Sequence, residues 1–213
     1  MYKYFDKKVI SCNDNITDLY DKGYIFVRIA KGVMEKIQGV RVDINKFTLS
    51  SENKRILRKT ENLDFKIKSL PYVDYTYEIQ KMGSQFYKEK FGNGVFSAYK
   101  IKEIFTKKDN LNFNYVFEFK ENKKNIGFVI SFINKDIIHY SYPFYALEKT
   151  NKNIGIGMMT MVIDFAKKNN IKYVYLGSVY KKESLYKLQF KGVEWFDGNT
   201  WRDDLDTLKS QFV

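Results

Sequence analysis

A glycine-containing turn between a predicted strand and a predicted helix is the feature that most constrains the fold of this chain. The turn, Lys152–Gly157, follows an apolar run at Tyr140–Leu147 and begins a helix whose apolar residues recur at helical spacing. A second strand, Lys172–Gly177, follows that helix. Such a turn leaves backbone N–H groups unpaired at the positive end of the helix dipole. The segment therefore predicts a site for a phosphate-bearing donor. The alternative is a tight turn that only packs the helix on the sheet.

The charge of the chain favours a polyanionic partner. The 213 residues include 37 Lys and Arg against 25 Asp and Glu, which gives a net charge of +12. These lysines either form a solvated surface or bind a polyanion such as RNA. Their clustering at Lys54–Lys68 and Lys149–Lys191 favours the second interpretation.

The residues that the chain lacks argue against several classes of protein. No apolar run approaches the ~20 residues of a membrane span. The first residues, Met1–Asp6, carry charges where a signal peptide would need an apolar region. A cytoplasmic protein without membrane contact is therefore expected. Cys12 is the single cysteine and His139 the single histidine, which excludes an intramolecular disulfide and leads us to expect no metal site.

Apolar patterning predicts short strands in the first half of the chain and an antiparallel meander before the glycine turn. Strands are expected at Tyr24–Ile29 and Val40–Ile44, and a helix is expected to begin near Ser50 and end near Glu61. The later elements are expected to be helices at Tyr75–Phe91 and Phe96–Phe105, strands at Phe113–Phe119, Ile126–Ile133 and Ile138–Leu147, a short helix at Lys182–Phe190 and a hairpin at Asp197-Gly198. The fold class is therefore α/β (α+β), with a mixed, mostly antiparallel sheet flanked by helices.

The glycine turn resembles that of the N-acetyltransferase (GNAT) superfamily. The superfamily has Gln/Arg-x-x-Gly-x-Gly/Ala here, and this chain has Lys152-x-x-Gly155-x-Gly157 between a meander and a strand. The resemblance implies a GNAT-like acyltransferase fold. Residues 71–213 would form the acyltransferase domain, and residues 1–70, with their strands and basic helix, would pack against it as a small lobe.

Two segments resemble one branch of this superfamily, the arginyl- and leucyl-tRNA–protein transferases. The first is Phe47–Thr60. Its outright matches to the branch are Phe47, Ser50, Arg55 and Arg58, and its matches in kind are Lys54, Ile56 and Lys59. The second runs from Tyr173 to Trp201 and is similar to the Tyr-x-Tyr-Leu-Gly, Met-x-Tyr-Lys and Asp-Gly-x-Trp series of the branch. The cysteine cluster that the branch has before its basic helix is absent, because Lys31–Val40 contains no cysteine.

The resemblance implies transfer of an amino acid, of the arginine or leucine type, from aminoacyl-tRNA to the N-terminal amine of a protein or peptide. The aminoacyl-tRNA would be a co-substrate, and no cofactor is expected. The protein would act as a monomer. Such chemistry needs no protein nucleophile, because the donor ester already carries a good leaving group.

Three groups of site residues follow from the motifs. Tyr186 is assigned to protonation of the leaving group or to positioning of the tRNA end. His139 is assigned to general base catalysis and Glu194 to contact with the acceptor amine. The donor phosphate or the tRNA is assigned to Lys152, Ile154, Gly155, Ile156, Gly157 and Lys187. The tRNA or an acidic acceptor is assigned to the basic helix residues Lys54, Arg55, Arg58 and Lys59.

Two alternative functions stay open on the sequence. A coenzyme-A-dependent GNAT N-acetyltransferase, with acetyl-CoA as donor, is favoured by the Gly155-x-Gly157 turn. An inactive module that only binds tRNA is the other. Sensitivity of activity to salt and to ribonuclease would distinguish the donors.

Overall fold

The chain forms one large and one small β-sheet, with six α-helices in the described residues. The computed structural model describes residues 3–107, 112–148 and 153–212. The strands are β1 (Tyr4–Val9), β2 (Tyr24–Phe26), β3 (Val33–Ile37), β4 (Gly39–Asp43), β5 (Leu63–Ser69), β6 (Tyr115–Glu121), β7 (Lys124–Ile133), β8 (Ile137–Tyr145), β9 (Tyr173–Ser178), β10 (Val193–Phe196) and β11 (Trp201–Arg202). The helices are α1 (Ile16–Asp21), α2 (Ser51–Lys59), α3 (Tyr77–Phe91), α4 (Ala98–Thr106), α5 (Ile154–Lys168) and α6 (Leu205–Ser210). A 3-10 helix spans Lys182–Gln189.

The large sheet opens between two of its central strands. Its eight strands have the order β11-β10-β4-β9-β8-β7-β6-β5, and the small sheet has the order β1-β3-β2. Among the described strands, only β8 and β9 pair in parallel, over Ile137–His139 and Tyr173–Tyr175. Beyond this ladder β8 continues beside β7, and β9 continues beside β4. We call the region between Tyr140–Tyr145 of β8 and Leu176–Ser178 of β9 the fork.

Helix α5 connects β8 to β9 and packs on both. Because the two strands are parallel, the helix between them runs back along the sheet from the end of β8 to the start of β9. The N-terminus of α5 therefore lies at the end of the sheet where the fork opens.

The large sheet separates two apolar cores. On one face, Ile138 and Tyr140 of β8 pack in the same core as Met158 and Val162 of α5. The core on the other face combines side chains of β8, α3 and α4 with those of the small sheet, among them Phe144, Phe86, Phe105 and Met34. Full burial of side chains of this size contributes roughly 1.5–3 kcal/mol each, so the cores on both faces hold β8 in place.

The predicted fold class is confirmed: the sheet is mixed and mostly antiparallel, and helices flank it. Most predicted elements form, although the strand predicted at Tyr24–Ile29 ends at Phe26. The elements that the patterning missed are β1, α1, β3, β5 and α6. β4 and β5 lie in the same sheet as the strands that follow residue 71. The predicted lobe of residues 1–70 therefore shares a sheet with the predicted acyltransferase domain, and its separate folding stays a prediction.

The three described ranges were compared with what a membrane-spanning helix and a metal site require. Within them, no helix combines the length and the apolar character that crossing a bilayer requires. Nor do their His, Cys, Asp and Glu side chains form a group of three or more that could hold a metal ion.

Candidate active site at the fork

Two glycines of α5 allow the helix to pack closely against its neighbours. A Cβ atom at Gly155 would lie 2.9 Å from the ring of Tyr145, and one at Gly157 would lie 2.6 Å from the Thr60 methyl group. Tyr145 ends β8 and Thr60 follows α2, so the N-terminus of α5 is held between the fork and the basic helix. This supports the packing interpretation of the turn. The phosphate role stays a prediction.

The first turn of α5 lacks a side-chain cap from its N-cap residue. Asn153 has a left-handed backbone, with φ 58°, and its side chain makes no capping hydrogen bond. Gly157 N–H is bonded to the Asn153 carbonyl at 2.9 Å. The N–H groups of Ile154, Gly155 and Ile156 precede it and have no acceptor within the helix. They point out of the helix end, as an anion site requires. Lys152, also assigned to the donor, lies outside the described residues.

Three tyrosines gather at the fork. Tyr140 and Tyr145 belong to β8, and Tyr186 lies in the 3-10 helix after β9. Burial, followed by the charge effects of Tyr186 and Tyr145, raises the pKa of Tyr140 well above its ordinary value. Partial desolvation by the surrounding protein, and then Tyr145, raise the pKa of Tyr186 to about 12. Both phenols are therefore protonated at neutral pH and can donate hydrogen bonds.

The hydroxyl group of Tyr140 is a feature that the sequence analysis missed. The Tyr140 residue is 1% exposed, whereas Tyr186 is 47% exposed. The Tyr140 hydroxyl has no hydrogen-bond partner among the described residues. A buried polar group without a partner costs about 1–3 kcal/mol. Such a group in a folded protein calls for an explanation, and a catalytic role is one of those known.

Lys187 lies at the β9 side of the fork. Its ammonium donates a hydrogen bond to the Ser178 carbonyl at 2.9 Å. Burial lowers the pKa of Lys187 to about 8. The ammonium therefore keeps most of its charge at neutral pH and could attract a donor phosphate, in line with its predicted role.

His139 lies on the face of the sheet opposite Tyr140. It is 1% exposed, and its Nδ1 atom lies 2.9 Å from the Tyr20 hydroxyl. Its ring also packs near Phe113. Burial, with a smaller effect of the Lys187 charge, lowers the pKa of His139 to about 3. The ring is neutral at pH 7 and a weak base, so the predicted general base role stays a prediction.

His139 is expected to make the protein acid-sensitive. Its ordinary pKa is about 6.5, so below that pH the unfolded chain binds a proton that the folded protein does not. Stability should fall as the pH is lowered from about 6.5 towards 3, by up to about 1.4 kcal/mol per unit from this group. His139→Asn keeps an acceptor near the position of Nδ1 and cannot titrate. Urea unfolding between pH 7 and 4 should show a shallower loss in the variant, and an unchanged slope would contradict the assignment.

Glu194 forms a buried ion-pair network. Its carboxylate accepts hydrogen bonds from Arg41 Nε and Lys46 Nζ, each at 2.9 Å. Arg41 also donates to Asp21 at 2.7 Å and to the Tyr175 hydroxyl at 3.2 Å. Both carboxylate oxygens of Glu194 therefore have protein partners. Its predicted contact with an acceptor amine stays a prediction.

The guanidinium of Arg41 lies between two aromatic rings. Its Cζ atom is 3.8 Å from the ring centre of Tyr173 and 4.2 Å from that of Trp201. Such contacts stabilise a cation by about 0.5–2 kcal/mol each. Arg41 lies between Val40 and Val42 on β4, and this charge between two buried valines was the available sequence signal.

The basic helix α2 reaches the N-terminus of α5. A capping box begins α2, since Ser50 Oγ accepts from Asn53 N at 3.1 Å and Asn53 Oδ1 accepts from Ser50 N at 3.2 Å. Lys54, Arg58 and Lys59 are exposed. Arg55 instead pairs with Glu52 through Nε at 2.6 Å. Because Thr60 contacts α5, the last turn of α2 brings Arg58 and Lys59 towards the same end of the sheet as the fork.

The structure thus gathers part of the predicted site. The first turn of α5, Tyr186, Lys187 and the end of α2 share one end of the large sheet. His139 faces the other side, and Glu194 lies on β10, which β4 separates from β9. The fork is open between β8 and β9, the N-terminus of α5 offers backbone N–H donors, and the tyrosine phenols are protonated. Together these groups can bind an activated acyl group.

Comparisons with known proteins agree with this fold. In sequence, the chain is 25% identical over 169 residues to an aspartate/glutamate leucyltransferase of Saccharophagus degradans, covering 76% of this chain and 69% of that protein. In structure, it is similar to FemX, with a TM-score of 0.51 and 11% identity over 87% of this chain and 67% of that one. No family model matches the chain.

A third similarity is to a GCN5-related glucosamine N-acetyltransferase region of a fungal multi-domain GH3 β-N-acetylglucosaminidase. The TM-score is 0.47 at 10% identity, over 84% of this chain and 21% of that protein. The chain spans about half the length of two other solved structures that it matches. It covers 50% of one of those chains and 54% of the other. At these identities structural likeness shows the fold alone.

Proposed function

We propose that this protein transfers an amino acid from aminoacyl-tRNA to the N-terminal amine of a protein or peptide. The observation that carries the proposal is the sequence similarity to an aspartate/glutamate leucyltransferase over 169 residues. That relative favours leucine over arginine as the transferred residue. It also favours acceptors that begin with Asp or Glu. The fork and the exposed cations of the basic helix support the proposal.

The reaction joins an amine to an ester carbonyl. The donor is the ester between an amino acid and the terminal ribose of tRNA. The enzyme must place the two groups together and stabilise the charge that develops on the carbonyl oxygen. The first turn of α5 and Lys187 would bind phosphate near the tRNA end, and Tyr186 would protonate the leaving ribose oxygen. None of these steps requires a covalent bond to the protein.

The test is label transfer to defined peptides. Radiolabelled leucyl-tRNA and arginyl-tRNA are each incubated with the protein and with peptides beginning with Asp, Glu, Lys or Arg. We expect label from leucyl-tRNA in the Asp and Glu peptides and none after ribonuclease treatment. Label from arginyl-tRNA would keep the reaction class and change the donor. Peptide left unlabelled by both, with a folded protein, would overturn the proposal.

A coenzyme-A-dependent acetyltransferase is the second candidate. The Gly155-x-Gly157 turn favours it, as does the first turn of α5, which the Asn153 side chain does not cap. The same peptides are therefore incubated with labelled acetyl-CoA. Acetyl transfer that resists ribonuclease would establish this candidate in place of the first.

The basic helix should control the affinity for tRNA. Reversing the exposed charges with Arg58→Glu and Lys59→Glu should weaken tRNA binding and reduce the slope of log affinity against log salt by about 1 for each lost phosphate contact. A matched control reverses Lys22 and Lys31, exposed lysines of the N-terminal segment. Both double variants change the net charge equally. Equal losses of tRNA affinity in the two double variants would show that only the overall charge matters. The basic helix α2 would then not be part of the tRNA interface.

A further inference from the structure

Tyr140 follows Ile138 into the core beside α5, and an irregularity in β8 comes directly after it. β8 pairs with β7 through Tyr142 opposite Ile130 and Tyr140 opposite Ser131, which leaves Ser141 as an extra residue. This bulge changes the alternation, so Tyr140 belongs to the core beside α5 while Tyr142 belongs to the opposite core. Bulges commonly redirect a side chain next to an active site.

The bulge lies at the start of the fork. The parallel ladder between β8 and β9 ends at His139, and Tyr140 is the next residue. The Tyr140 hydroxyl is buried without a hydrogen-bond partner among the described residues. Tyr186, whose charge effect on Tyr140 is the largest of those from neighbouring tyrosines, is half exposed.

We propose that the Tyr140 hydroxyl donates a hydrogen bond to the carbonyl oxygen of the donor acyl group as that oxygen becomes negative. This inference rests on the proposed function. It adds an oxyanion-stabilising catalytic residue that the family motifs do not mark. Phenol is suited to the role because it carries one donor proton and no charge to be neutralised.

The step balances without a further reactant. The acceptor amine attacks the ester carbon, a C–N bond forms, and the carbonyl π electrons move to the oxygen that Tyr140 faces. The carbonyl re-forms as the C–O bond to ribose breaks. Tyr186 gives its proton to the ribose oxygen, and the proton lost by the amine nitrogen restores Tyr186. Tyr140 keeps its own proton throughout, as its raised pKa requires.

The experiment compares Tyr140→Phe with the wild type in the label-transfer assay at saturating donor and peptide. Loss of one oxyanion donor typically lowers kcat about 10²–10³-fold. We expect a fall of that size in kcat and KM values within about twofold of the wild type. The midpoint of thermal unfolding should stay the same or rise, because the variant removes a buried hydroxyl without a partner.

Tyr142→Phe is the matched control. It lies on the same strand, faces the other core, and its hydroxyl accepts a hydrogen bond from Arg28 N at 3.2 Å. We expect a lower unfolding midpoint and a kcat within twofold of the wild type. Unchanged kcat in Tyr140→Phe, with an active wild type, would overturn this inference alone. A lowered midpoint with a proportional loss of active protein would overturn it in favour of a structural role. A wild type without transfer would overturn the proposed function and this inference with it.

Discussion

Replacing Gly155 with aspartate is expected to lower donor affinity at least about tenfold more than replacing it with asparagine. Both side chains meet the Tyr145 ring, since a Cβ at this position lies 2.9–3.2 Å from its atoms. Both therefore disturb the junction between α5 and β8 to a similar extent. Only aspartate places a negative charge at the helix end proposed to bind the donor phosphate. The difference between the two variants isolates the electrostatic contribution.

The expected size follows from charge repulsion at short range. Two unit charges about 4 Å apart interact by about 1 kcal/mol in water and about 4 kcal/mol near a protein surface, and about 1.4 kcal/mol is a factor of ten. Affinities for deacylated tRNA and for coenzyme A are measured for both variants at low and high salt. The gap between aspartate and asparagine should shrink at high salt. Equal affinities at low salt would show that the glycine serves packing alone.

The sequence predicted the order of elements around the fork because that information is local. The strand, glycine turn, helix and second strand are each set by patterns within about 20 residues. The capping box between Ser50 and Asn53 is equally local and was recognisable as a helix start. The basic helix and the lysine of the 3-10 helix were found through motifs of the same kind.

The missed features depend on partners distant in sequence. His139 contacts Tyr20, 119 residues earlier in the chain, and this contact places the imidazole in a buried pair. The bulge at Ser141 exists only relative to β7, so the change of side-chain direction between Tyr140 and Tyr142 could not be read from β8 itself. Arg41 likewise pairs with Glu194 across 153 residues. Pairing register and buried charge networks are set by the assembled fold, and a single sequence does not display them.

Replacing Arg41 with methionine is expected to lower the free energy of unfolding by about 3–5 kcal/mol, the usual cost of breaking a buried ion pair from one side. The Arg41 side chain is 6% exposed and that of Glu194 is 11% exposed. Without the guanidinium, Glu194 keeps only Lys46, and the aromatic contacts to Tyr173 and Trp201 lose their cation. A domain of this size typically has a free energy of unfolding of about 5–15 kcal/mol in total. The variant should therefore unfold at a much lower urea concentration.

A double-mutant cycle tests whether the loss of unfolding free energy comes from the ion pair between Arg41 and Glu194. Glu194→Gln alone should destabilise, and the variant that combines it with Arg41→Met should lose less than the two single losses added together, by about 0.5–3 kcal/mol. The cycle also bears on the predicted contact between Glu194 and the acceptor amine. If the carboxylate serves the fold, Glu194→Gln should leave the KM for peptide unchanged at temperatures where the variant is folded. A raised KM with additive unfolding energies would instead place Glu194 at the acceptor, and the network on β4 and β10 would then extend the active site across the sheet.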